Sequence, residues 1–412
     1  MKKKHSPTVT DKIKRFLRQP IPNIIGEIFN IPEEFLYLTE MGLGKALETH
    51  YETIRLTNGL DDTLIETVRY SFENPHTSNF PNTPTQGLLF LEDKQKPGDR
   101  LVLKSHLQQY NRFDEPFFQI FIPRKRKDIA VKFTQRLHEA IKSFKGLHLM
   151  GNGKPLRNMR KFTWLDMVLS DAVKRIIQHN VIDFIKKREL FQRRNIQMRR
   201  GLMLYGLPGV GKTMLSIVLA NETDANLVIA SSQHMGGPAN VARVFDLARF
   251  LAPPTIVCLE DLDLIGGKER ETTFHKELLG ELLNQLDSFA CNDGLIIIAS
   301  TNDISVFDKA LGNRPGRFDI KLEMPLPDDE HRAKLFHRFT ESIKIADDVD
   351  VSKMIQQMQG LSCAHINEIV NYAKILNTER SSESDDITLS KEDFASAMAI
   401  WNGHKKSVGF NN

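Results

Sequence analysis

Residues 162–327 alternate short apolar runs with longer stretches whose apolar positions recur at helical spacing. This alternation is typical of buried parallel strands joined by crossover helices. The strand-like runs are 202–205, 227–230, 255–259, 295–299 and 320–324, and the helical patterns between them are 212–221, 240–251 and 275–289. The pattern predicts an α/β fold with a doubly wound parallel sheet, in which a ligand binds at the carboxyl ends of the strands.

The two flanking regions have different patterns. Residues 328–412 carry helical patterns at 330–343, 351–358, 364–377 and 390–401, and their candidate N-caps are Asp348 or Asp350, Ser362 and Ser390. Residues 1–160 mix helical patterns (33–51, 128–144) with strand-like runs (87–91, 117–122, 147–149), the last part forming a strand–helix–strand pattern. We therefore predict three domains: an N-terminal α+β domain over 1–160, an α/β core over 161–327, and a C-terminal helical lid with a tail over 328–412.

A glycine-rich stretch follows the first strand-like run of the core, and a helical pattern follows that stretch. Its residues are Gly206, Leu207, Pro208, Gly209, Val210, Gly211, Lys212 and Thr213, with Met214 next in the helix. The spacing matches the phosphate-binding loop of P-loop NTPases, in which backbone N–H groups and the helix dipole hold phosphate groups. We expect Lys212 to contact the β- and γ-phosphates and Thr213 to ligate Mg²⁺. The predicted ligand of residues 206–214 is a nucleoside triphosphate.

Two further strand-like runs end in polar residues that suit this ligand. Glu260 and Asp261 follow the run 255–259, and Asn302 follows the run 295–299 by a few residues. A nucleotide–Mg²⁺ site needs one carboxylate for the metal and a second to orient and deprotonate the attacking water. Residue type alone does not say which of Glu260 and Asp261 has which role. We expect Asn302 to contact the γ-phosphate or the attacking water, although an Asn at this position also suits an N-cap or a turn.

Several segments together resemble the AAA-type ATPases, and the resemblance extends over roughly residues 162–403. The segments are Phe191, Arg200 and Gly201, the stretch 279–289, Thr301 and Asn302, the string 314–319 (Arg-Pro-Gly-Arg-Phe-Asp) and the lid string 360–364. In style they are similar to the AAA modules of zinc-dependent AAA proteases. The Glu-Asp order at 260–261 is similar to that of the subgroup containing the mitochondrial Rieske-protein translocase.

This resemblance implies an ATP hydrolase that works as a homo-oligomeric ring, expected to be a hexamer. It implies that Glu260 binds the metal, that Asp261 is the catalytic base and that Asn302 is the first sensor. It implies that Arg314 and Arg317 reach the nucleotide of a neighbouring subunit, and it places Asp166 and Val168 in the segment that contacts adenine.

The chain departs from the family pattern in its central-pore loop. The family carries an aromatic–apolar–Gly tripeptide there, whereas residues 232–237 are short and lack the aromatic. The proteases of this family add a downstream zinc-binding H-E-x-x-H motif. The local string that begins His138-Glu139 lacks the second His and precedes the core, so no protease activity is expected.

The amino-acid composition bears mainly on the expected cellular compartment. Apolar residues make up 41% and charged residues 26% of the chain, which is ordinary for a globular protein. We expect no membrane span and no signal peptide, and the three cysteines form no metal-like or redox pair, so a reduced cytoplasmic setting is expected. The net charge of +4 includes basic runs at 2–4, 124–127 and 186–200. Nucleic-acid binding is not favoured, because no aromatic residues interleave with these charges.

Two classes of function fit these observations. The leading one is an ATP-driven ring that remodels or translocates a protein partner, with residues 1–160 binding that partner. The alternative is a nucleotide-switched scaffold or binding module in which slow hydrolysis only times assembly. Because residues 1–160 carry no recognisable nucleotide chemistry, a chain that starts near Lys161 is expected to bind ATP.

Overall fold

The computed structural model describes residues 9–57, 86–106, 116–156, 162–263, 273–287, 293–305, 317–380 and 387–407. Contacts between residues divide the chain into two compact units. The first unit is Met1–Arg160 with Asp224–Val257, and the second is Lys161–Thr223 with Cys258–Asn412. The three domains predicted from the sequence stay a prediction, because this division groups residues by contact and places 224–257 with the N-terminal region.

The N-terminal region contains a five-stranded antiparallel sheet. Its strands are β1 (Ile24–Asn30), β2 (Tyr51–Thr57), β3 (Gln86–Asp93), β4 (Arg100–His106) and β5 (Phe117–Pro123), in the order β1-β5-β4-β3-β2. Side chains along β5 alternate between buried and half-buried, with Phe118, Ile120 and Ile122 buried. Successive side chains of a strand point to opposite faces, so this alternation shows that one face of β5 is the deeper one.

Helices pack on both faces of this sheet. They are α1 (Val9–Leu17), α2 (Leu36–His50) and α3 (Lys127–Lys142). On one face α1 buries Ile13 and Leu17 in a cluster with Phe90 and Val102. On the other face α3 directs Phe133 toward Phe118, with 6.2 Å between the ring centroids.

A buried cluster of charges joins α3 to the end of β3. The Asp93 carboxylate accepts hydrogen bonds from Lys132 at 2.7 Å and from Arg136 at 2.9 Å. Burial alone would raise the pKa of Asp93, but the hydrogen bonds from Lys132 and Arg136 outweigh it and lower the pKa from 3.8 to about 2. The cluster is therefore ionised throughout the physiological range.

The second sheet has six strands, and its described pairings are parallel. The strands are β6 (His148–Met150), β7 (Arg200–Tyr205), β8 (Asn226–Ala230), β9 (Thr255–Leu259), β10 (Leu295–Thr301) and β11 (Ile320–Glu323). Their order is β11-β7-β10-β9-β8-β6, and β7 pairs with both β10 and β11 while β6 pairs with β8. Every residue of β9 and β10 is buried, as expected for strands covered on both faces.

Helices alternate with these strands along the chain. Before β7 lie α4 (Asp171–Ile177), a π-helical turn (Gln178–Ile182), α5 (Asp183–Lys186) and α6 (Arg188–Arg193). Between the later strands lie α7 (Lys212–Thr223), α8 (Pro238–Phe250) and α9 (Thr273–Asp287). The predicted α/β fold of a P-loop NTPase is thus confirmed, and all five strands predicted for it are present within two residues of their predicted ends.

The edge strand β6 was not predicted to belong to this sheet. The sequence pattern places 117–122 and 147–149 in one strand–helix–strand unit, and the three elements exist as β5, α3 and β6. However, β5 belongs to the antiparallel sheet, whereas β6 pairs with β8. The Leu227 N–H donates to the Leu147 carbonyl at 2.7 Å, and the Leu147 N–H donates to Asn226 Oδ1 at 2.9 Å. Apolar periodicity indicates that a strand forms, but not which sheet it joins.

Residues 238–250 are also bonded to the N-terminal region within the first unit. Lys142, the last residue of α3, donates to the carbonyls of Arg249 and Leu251 at 3.1 and 3.0 Å, at the end of α8. The Phe250 ring lies 4.9 Å from the Phe35 ring, centroid to centroid. A cation at a helix C-terminus satisfies carbonyls that lack intrahelical partners, so Lys142 caps α8.

The C-terminal part of the second unit is helical. It comprises α10 (Asp329–Thr340), α11 (Val351–Gln357), α12 (Cys363–Arg380) and α13 (Lys391–Ser407), with a small pair of strands, β12 (Lys344–Ile345) and β13 (Thr388–Leu389). Its core includes Phe336, Met358, Ile366 and Val370, all buried.

The predicted N-caps of these helices at 350, 362 and 390 are confirmed. Asp350 accepts from the Lys353 N–H at 3.0 Å, and Ser362 accepts from the His365 N–H at 3.4 Å. Ser390 and Asp393 bond reciprocally, as a capping box requires. Among the described residues, no helix is both long and apolar enough to cross a bilayer.

Candidate functional site

The phosphate loop lies between β7 and α7, in the second unit. Its glycines have positive φ angles, 148° at Gly206, 80° at Gly209 and 97° at Gly211. A Cβ on Gly206 would lie 2.2 Å from the Met324 carbonyl oxygen, and one on Gly209 would lie 2.6 Å from Ser362 Oγ. A side chain at 206 or 209 would therefore be both strained and obstructed. The described backbone is consistent with the loop predicted at 206–213, and Met214 lies in the first turn of α7.

Lys212 is folded back over this loop. Its ammonium donates to the Gly206 carbonyl at 2.7 Å, to the Leu207 carbonyl at 3.1 Å and to Asn302 Oδ1 at 2.9 Å. Burial lowers the pKa of Lys212, and the nearby charges of Asp261 and Asp263 oppose that shift. All three acceptors are neutral oxygens, so the cation lies at the loop without an ion pair to a carboxylate among these bonds.

The two acids predicted after β9 occupy different positions. Glu260 Oε1 accepts a short hydrogen bond from Thr213 Oγ1, which joins the tip of β9 to the start of α7. Asp261 has a φ of 50°, and its N–H donates to Ser300 Oγ at 3.3 Å. A non-glycine residue in the left-handed region is uncommon and marks a backbone held in place by its surroundings. The structure therefore brings Glu260, and not Asp261, to the hydroxyl of Thr213.

Asn302 is held by a residue to which the sequence analysis gave no role, Asp263. Asp263 Oδ1 lies 3.1 Å from both the Asn302 N–H nitrogen and Thr301 Oγ1. Asp263 Oδ2 accepts from Asn302 Nδ2 at 3.4 Å. The signal in the sequence was the third acid after β9, at 263, but only the fold shows that it faces the tip of β10.

The segment predicted to contact adenine forms a short 3₁₀ turn, Trp164–Asp166. The Asp166 carboxylate accepts from the Thr163 N–H at 2.7 Å and from Arg338 of α10 at 2.5 Å. These bonds hold the turn and the lid helix together, so the carboxylate is already engaged and contacts from this residue to a base would come from its backbone.

Val168 lies close to the loop from another side. It lines a small cavity with Leu169, Val210, Pro325, Leu326 and Cys363. Polar side chains also line this small cavity beside the phosphate loop, among them Ser170, Asp328 and His331.

The lid contacts the loop directly. The Ala364 N–H donates to the Gly209 carbonyl at 3.0 Å, and a Cβ on Gly209 would lie 2.9 Å from Ala364 Cβ. The string 360–364, which carried part of the resemblance, thus lies against the phosphate loop. The first turn of α12 is therefore hydrogen-bonded to the phosphate loop.

The two predicted trans-acting arginines have different outcomes. Arg314 lies outside the described residues. Arg317 is 5% exposed, and its guanidinium forms a bidentate pair with Asp287 at the end of α9, with Nε–Oδ1 and Nη2–Oδ2 distances of 2.8 and 2.6 Å. Its role toward a neighbouring subunit stays a prediction, and that role would require the pair with Asp287 to open.

The loop that follows β8 lies in the first unit and differs from the loop of β7. Met235 is fully buried, and Ser231 Oγ lies 3.0 Å from His234 Nδ1. The Ser231 N–H also points to His234 Nδ1, at 3.3 Å. These contacts join the His234 imidazole to Ser231 within the same loop.

In the second unit, then, a cation, a hydroxyl–carboxylate pair and an oriented amide meet at the carboxyl ends of β7, β9 and β10. This set of groups on a parallel sheet defines a P-loop nucleotide-binding domain.

Comparison with known proteins identifies one domain of the chain. Residues 202–326 match the family described as ATPase family associated with various cellular activities (AAA). The chain is 33% identical over 233 residues to the proteasome-activating nucleotidase of Methanopyrus kandleri, covering 54% of this chain and 52% of that protein. It is 35% identical over 230 residues to a 26S proteasome regulatory subunit 6B homolog of Encephalitozoon cuniculi, covering 53% and 59%. It is 30% identical over 241 residues to the ATP-dependent zinc metalloprotease FtsH 3 of Phytoplasma mali, covering 56% and 40%.

The chain therefore contains an AAA-type ATPase domain related to those of the proteasome-activating and FtsH groups. The resemblance predicted from the sequence is confirmed at this level. The chain spans about half the length of these relatives.

Proposed function

We propose that the chain binds ATP with Mg²⁺ and hydrolyses it to ADP and phosphate. The observation that supports this most strongly is the convergence of Lys212, Thr213–Glu260 and Asn302 on one phosphate loop. A water oxygen would attack the γ-phosphorus, the bond from that phosphorus to the β–γ bridging oxygen would break, and the water proton would pass to a carboxylate. Residues 206–214 would hold the phosphates through backbone N–H groups and the Lys212 charge.

The residues around Thr213 suit Mg²⁺. Hydroxyl and carboxylate oxygens are the hard ligands that Mg²⁺ prefers, and Thr213 and Glu260 already lie side by side. Mg²⁺ keeps several waters and uses one or two protein ligands together with substrate phosphates, so Thr213 and Glu260 would be enough to hold it here. When bound, Mg²⁺ would neutralise charge that develops on the β- and γ-phosphates.

We assign the base role to Asp261 and the metal role to Glu260. Glu260 is the partner of Thr213, and Thr213 is the loop residue that ligates Mg²⁺ in this class of site. Asp261 is held in a left-handed backbone conformation by a bond to Ser300, so its position is set independently of Glu260. In this assignment Asp261 orients the attacking water and accepts its proton.

Two variants test the assignment. Asp261→Asn should bind Mg-ATP normally and lose hydrolysis, because an amide cannot take the proton. Glu260→Gln should bind ATP more weakly, and its affinity should respond less to Mg²⁺. The measurement is a titration of a fluorescent ATP analogue at several Mg²⁺ concentrations, with steady-state phosphate release alongside. If Glu260→Gln binds Mg-ATP normally without hydrolysis while Asp261→Asn loses the Mg²⁺ response, the two roles must be exchanged.

At the biological level we propose that hydrolysis remodels or translocates a protein partner, and that the chain works as a homo-oligomeric ring, expected to be a hexamer. The support is the relation to a proteasome-activating nucleotidase and to a 26S proteasome regulatory subunit homolog. The N-terminal region is the proposed site of partner binding.

Arg314 and Arg317 are the proposed contacts to a neighbouring subunit's nucleotide. Asp166, through its backbone, and Val168 are the proposed contacts to adenine.

Two measurements test this level. Light scattering at micromolar protein should show ATP-dependent assembly, and a monomer in every nucleotide state would exclude the ring. Multiple-turnover hydrolysis, with and without candidate partners, separates a remodelling ATPase from a nucleotide-switched scaffold. Steady turnover supports the former, and a stall after the first turnover supports the latter. Partners should be captured with the Asp261→Asn variant in ATP.

A further inference from the structure

Asp263, in the second unit, is hydrogen-bonded to both the backbone and the side chain of Asn302. The carboxylate lies just after the tip of β9, and Asn302 lies just after the tip of β10. Asp263 Oδ1 accepts from the Asn302 backbone N–H at 3.1 Å, and Oδ2 accepts from Asn302 Nδ2 at 3.4 Å. Both the backbone and the side chain of Asn302 are thus bound to one carboxylate.

These bonds leave only one orientation for the Asn302 amide. An ionised carboxylate can only accept hydrogen bonds, and a lysine ammonium can only donate them. The amide lies between the two, with Nδ2 toward Asp263 and Oδ1 accepting from Lys212 at 2.9 Å. Reversing the amide would set Nδ2 against the ammonium and Oδ1 against the carboxylate, and both contacts would be repulsive.

We propose that Asp263 is a positioning residue for the reaction: it fixes the Asn302 amide so that an acceptor oxygen, and not the NH₂ group, faces the phosphate loop. This inference rests on the proposed ATPase function. A triphosphate would draw Lys212 toward its own oxygens, and Oδ1 would then be free of the ammonium but still oriented by Asp263. Asn302 would accept a hydrogen bond from the attacking water and hold its oxygen toward the γ-phosphorus.

Thr301 separates this role from a purely structural one. Its Oγ1 donates to Asp263 Oδ1 at 3.1 Å, and this hydrogen bond stabilises the turn without contacting the Asn302 amide. Removing that hydroxyl leaves both bonds between Asp263 and Asn302 in place. A Thr301→Val variant therefore perturbs the turn without freeing the amide.

Asp263→Asn is the main test, because it keeps the shape of the side chain and replaces one acceptor by a donor. We expect kcat to fall by about 10²-fold, the size of effect that a misplaced group near the chemistry produces, with little change in the KM for ATP. Thr301→Val should change kcat far less. The control is Asp303→Asn at the same strand tip, because Asp303 Oδ1 accepts from the Ser305 N–H and from Ser305 Oγ.

A double-mutant cycle shows whether Asp263 acts through Asn302. Asn302→Ala alone and Asn302→Ala with Asp263→Asn should have the same kcat, because a missing amide cannot be misoriented. If the two substitutions lower kcat by factors that multiply in the double variant, the proposal is overturned, since Asp263 would then act independently of Asn302. So would an Asp263→Asn variant with the kcat of the wild type.

A second readout does not depend on hydrolysis. The side-chain NH₂ resonance of Asn302 in asparagine-labelled protein can be identified by its loss in Asn302→Ala. It should move in Asp263→Asn and stay in place in Asp303→Asn, with folding of each variant checked by thermal melting. If Asp263→Asn does not fold, Asp263→Glu, which keeps the charge but displaces it, takes its place. If the resonance does not move in Asp263→Asn, the inference is wrong. If it moves but the wild-type protein has no ATPase activity, only the proposed function is refuted.

Discussion

Two buried cations in this chain, Arg136 in the N-terminal region and Lys212 in the phosphate loop, are held in opposite ways. Both residues are buried. Arg136 is paired with the Asp93 carboxylate at 2.9 Å, whereas Lys212 is bonded to two backbone carbonyls and an amide oxygen. The first arrangement neutralises its charge within the fold, and the second leaves the charge for a ligand.

The difference teaches how burial separates a structural charge from a binding one. Removing one partner of a buried ion pair strongly destabilises the folded protein, because the other charge is left buried without compensation. A structural cation is therefore best held by an opposite charge. Neutral carbonyl oxygens bind an ammonium more weakly than phosphate oxygens do. A phosphate can therefore displace the acceptors of Lys212, but no ligand would easily displace Asp93 from Arg136.

The largest effect should follow from removing the binding cation. Lys212→Ala should lower ATP turnover by about 10²–10⁴-fold, because the ammonium stabilises phosphate charge. The free energy of unfolding should change little, since the side chain's present partners are neutral. Phosphate release and urea denaturation of the same preparation check both parts, and near-normal turnover would remove the ATPase assignment.

Removing the structural anion should have the opposite profile. Asp93→Ala should destabilise the N-terminal region by about 3 kcal/mol or more, because Arg136 and Lys132 would be left without their carboxylate. Binding of ATP by the folded protein should be retained. Urea denaturation read by far-UV circular dichroism measures the loss. Equal stability of Asp93→Ala and wild type would show that the cluster is not a structural device.

The same cluster predicts a dependence of stability on pH. The pKa of Asp93 is lowered from 3.8 to about 2 in the fold, so its contribution is present above pH 4 and is lost as the pH falls toward 2. From a shift of this size the expected loss is about 2 kcal/mol. Thermal melting of wild type and Asp93→Asn between pH 5 and pH 2 should converge at the acid end. Parallel curves would contradict the assignment.

The smallest effect should come from Lys132. Its side chain is 39% exposed, against 7% for Arg136, although both bond the same carboxylate oxygen. Lys132→Ala should therefore cost less than about 1 kcal/mol, as exposed ion pairs do. Arg136→Ala should cost clearly more, because it leaves Asp93 buried with only a partly exposed partner. Similar losses for the two variants would show that burial does not set the ranking.

Much of the second unit could be predicted because its signals are local. The phosphate loop, the acids after β9 and the caps at 350, 362 and 390 each depend on residues a few positions apart. The bond between Asp263 and Asn302 joins residues that are distant in sequence, and so does the pair of Arg317 with Asp287. Nothing in the local pattern of either partner specifies the other, because β-sheet order brings them together. The pairing of β6 with β8 in the second sheet could not be predicted for the same reason.

The pairing of β6 with β8 decides where this chain can be cut. A chain that starts near Lys161, which the sequence suggests would suffice for ATP binding, lacks the Leu147 backbone that bonds Asn226 and Leu227. It would present the unpaired edge of a largely buried strand, and such an edge recruits strands from other molecules. We expect this shortened protein to precipitate or elute as large aggregates on a sizing column. A version that begins at Gly146 would retain the protecting strand and should elute as a defined species.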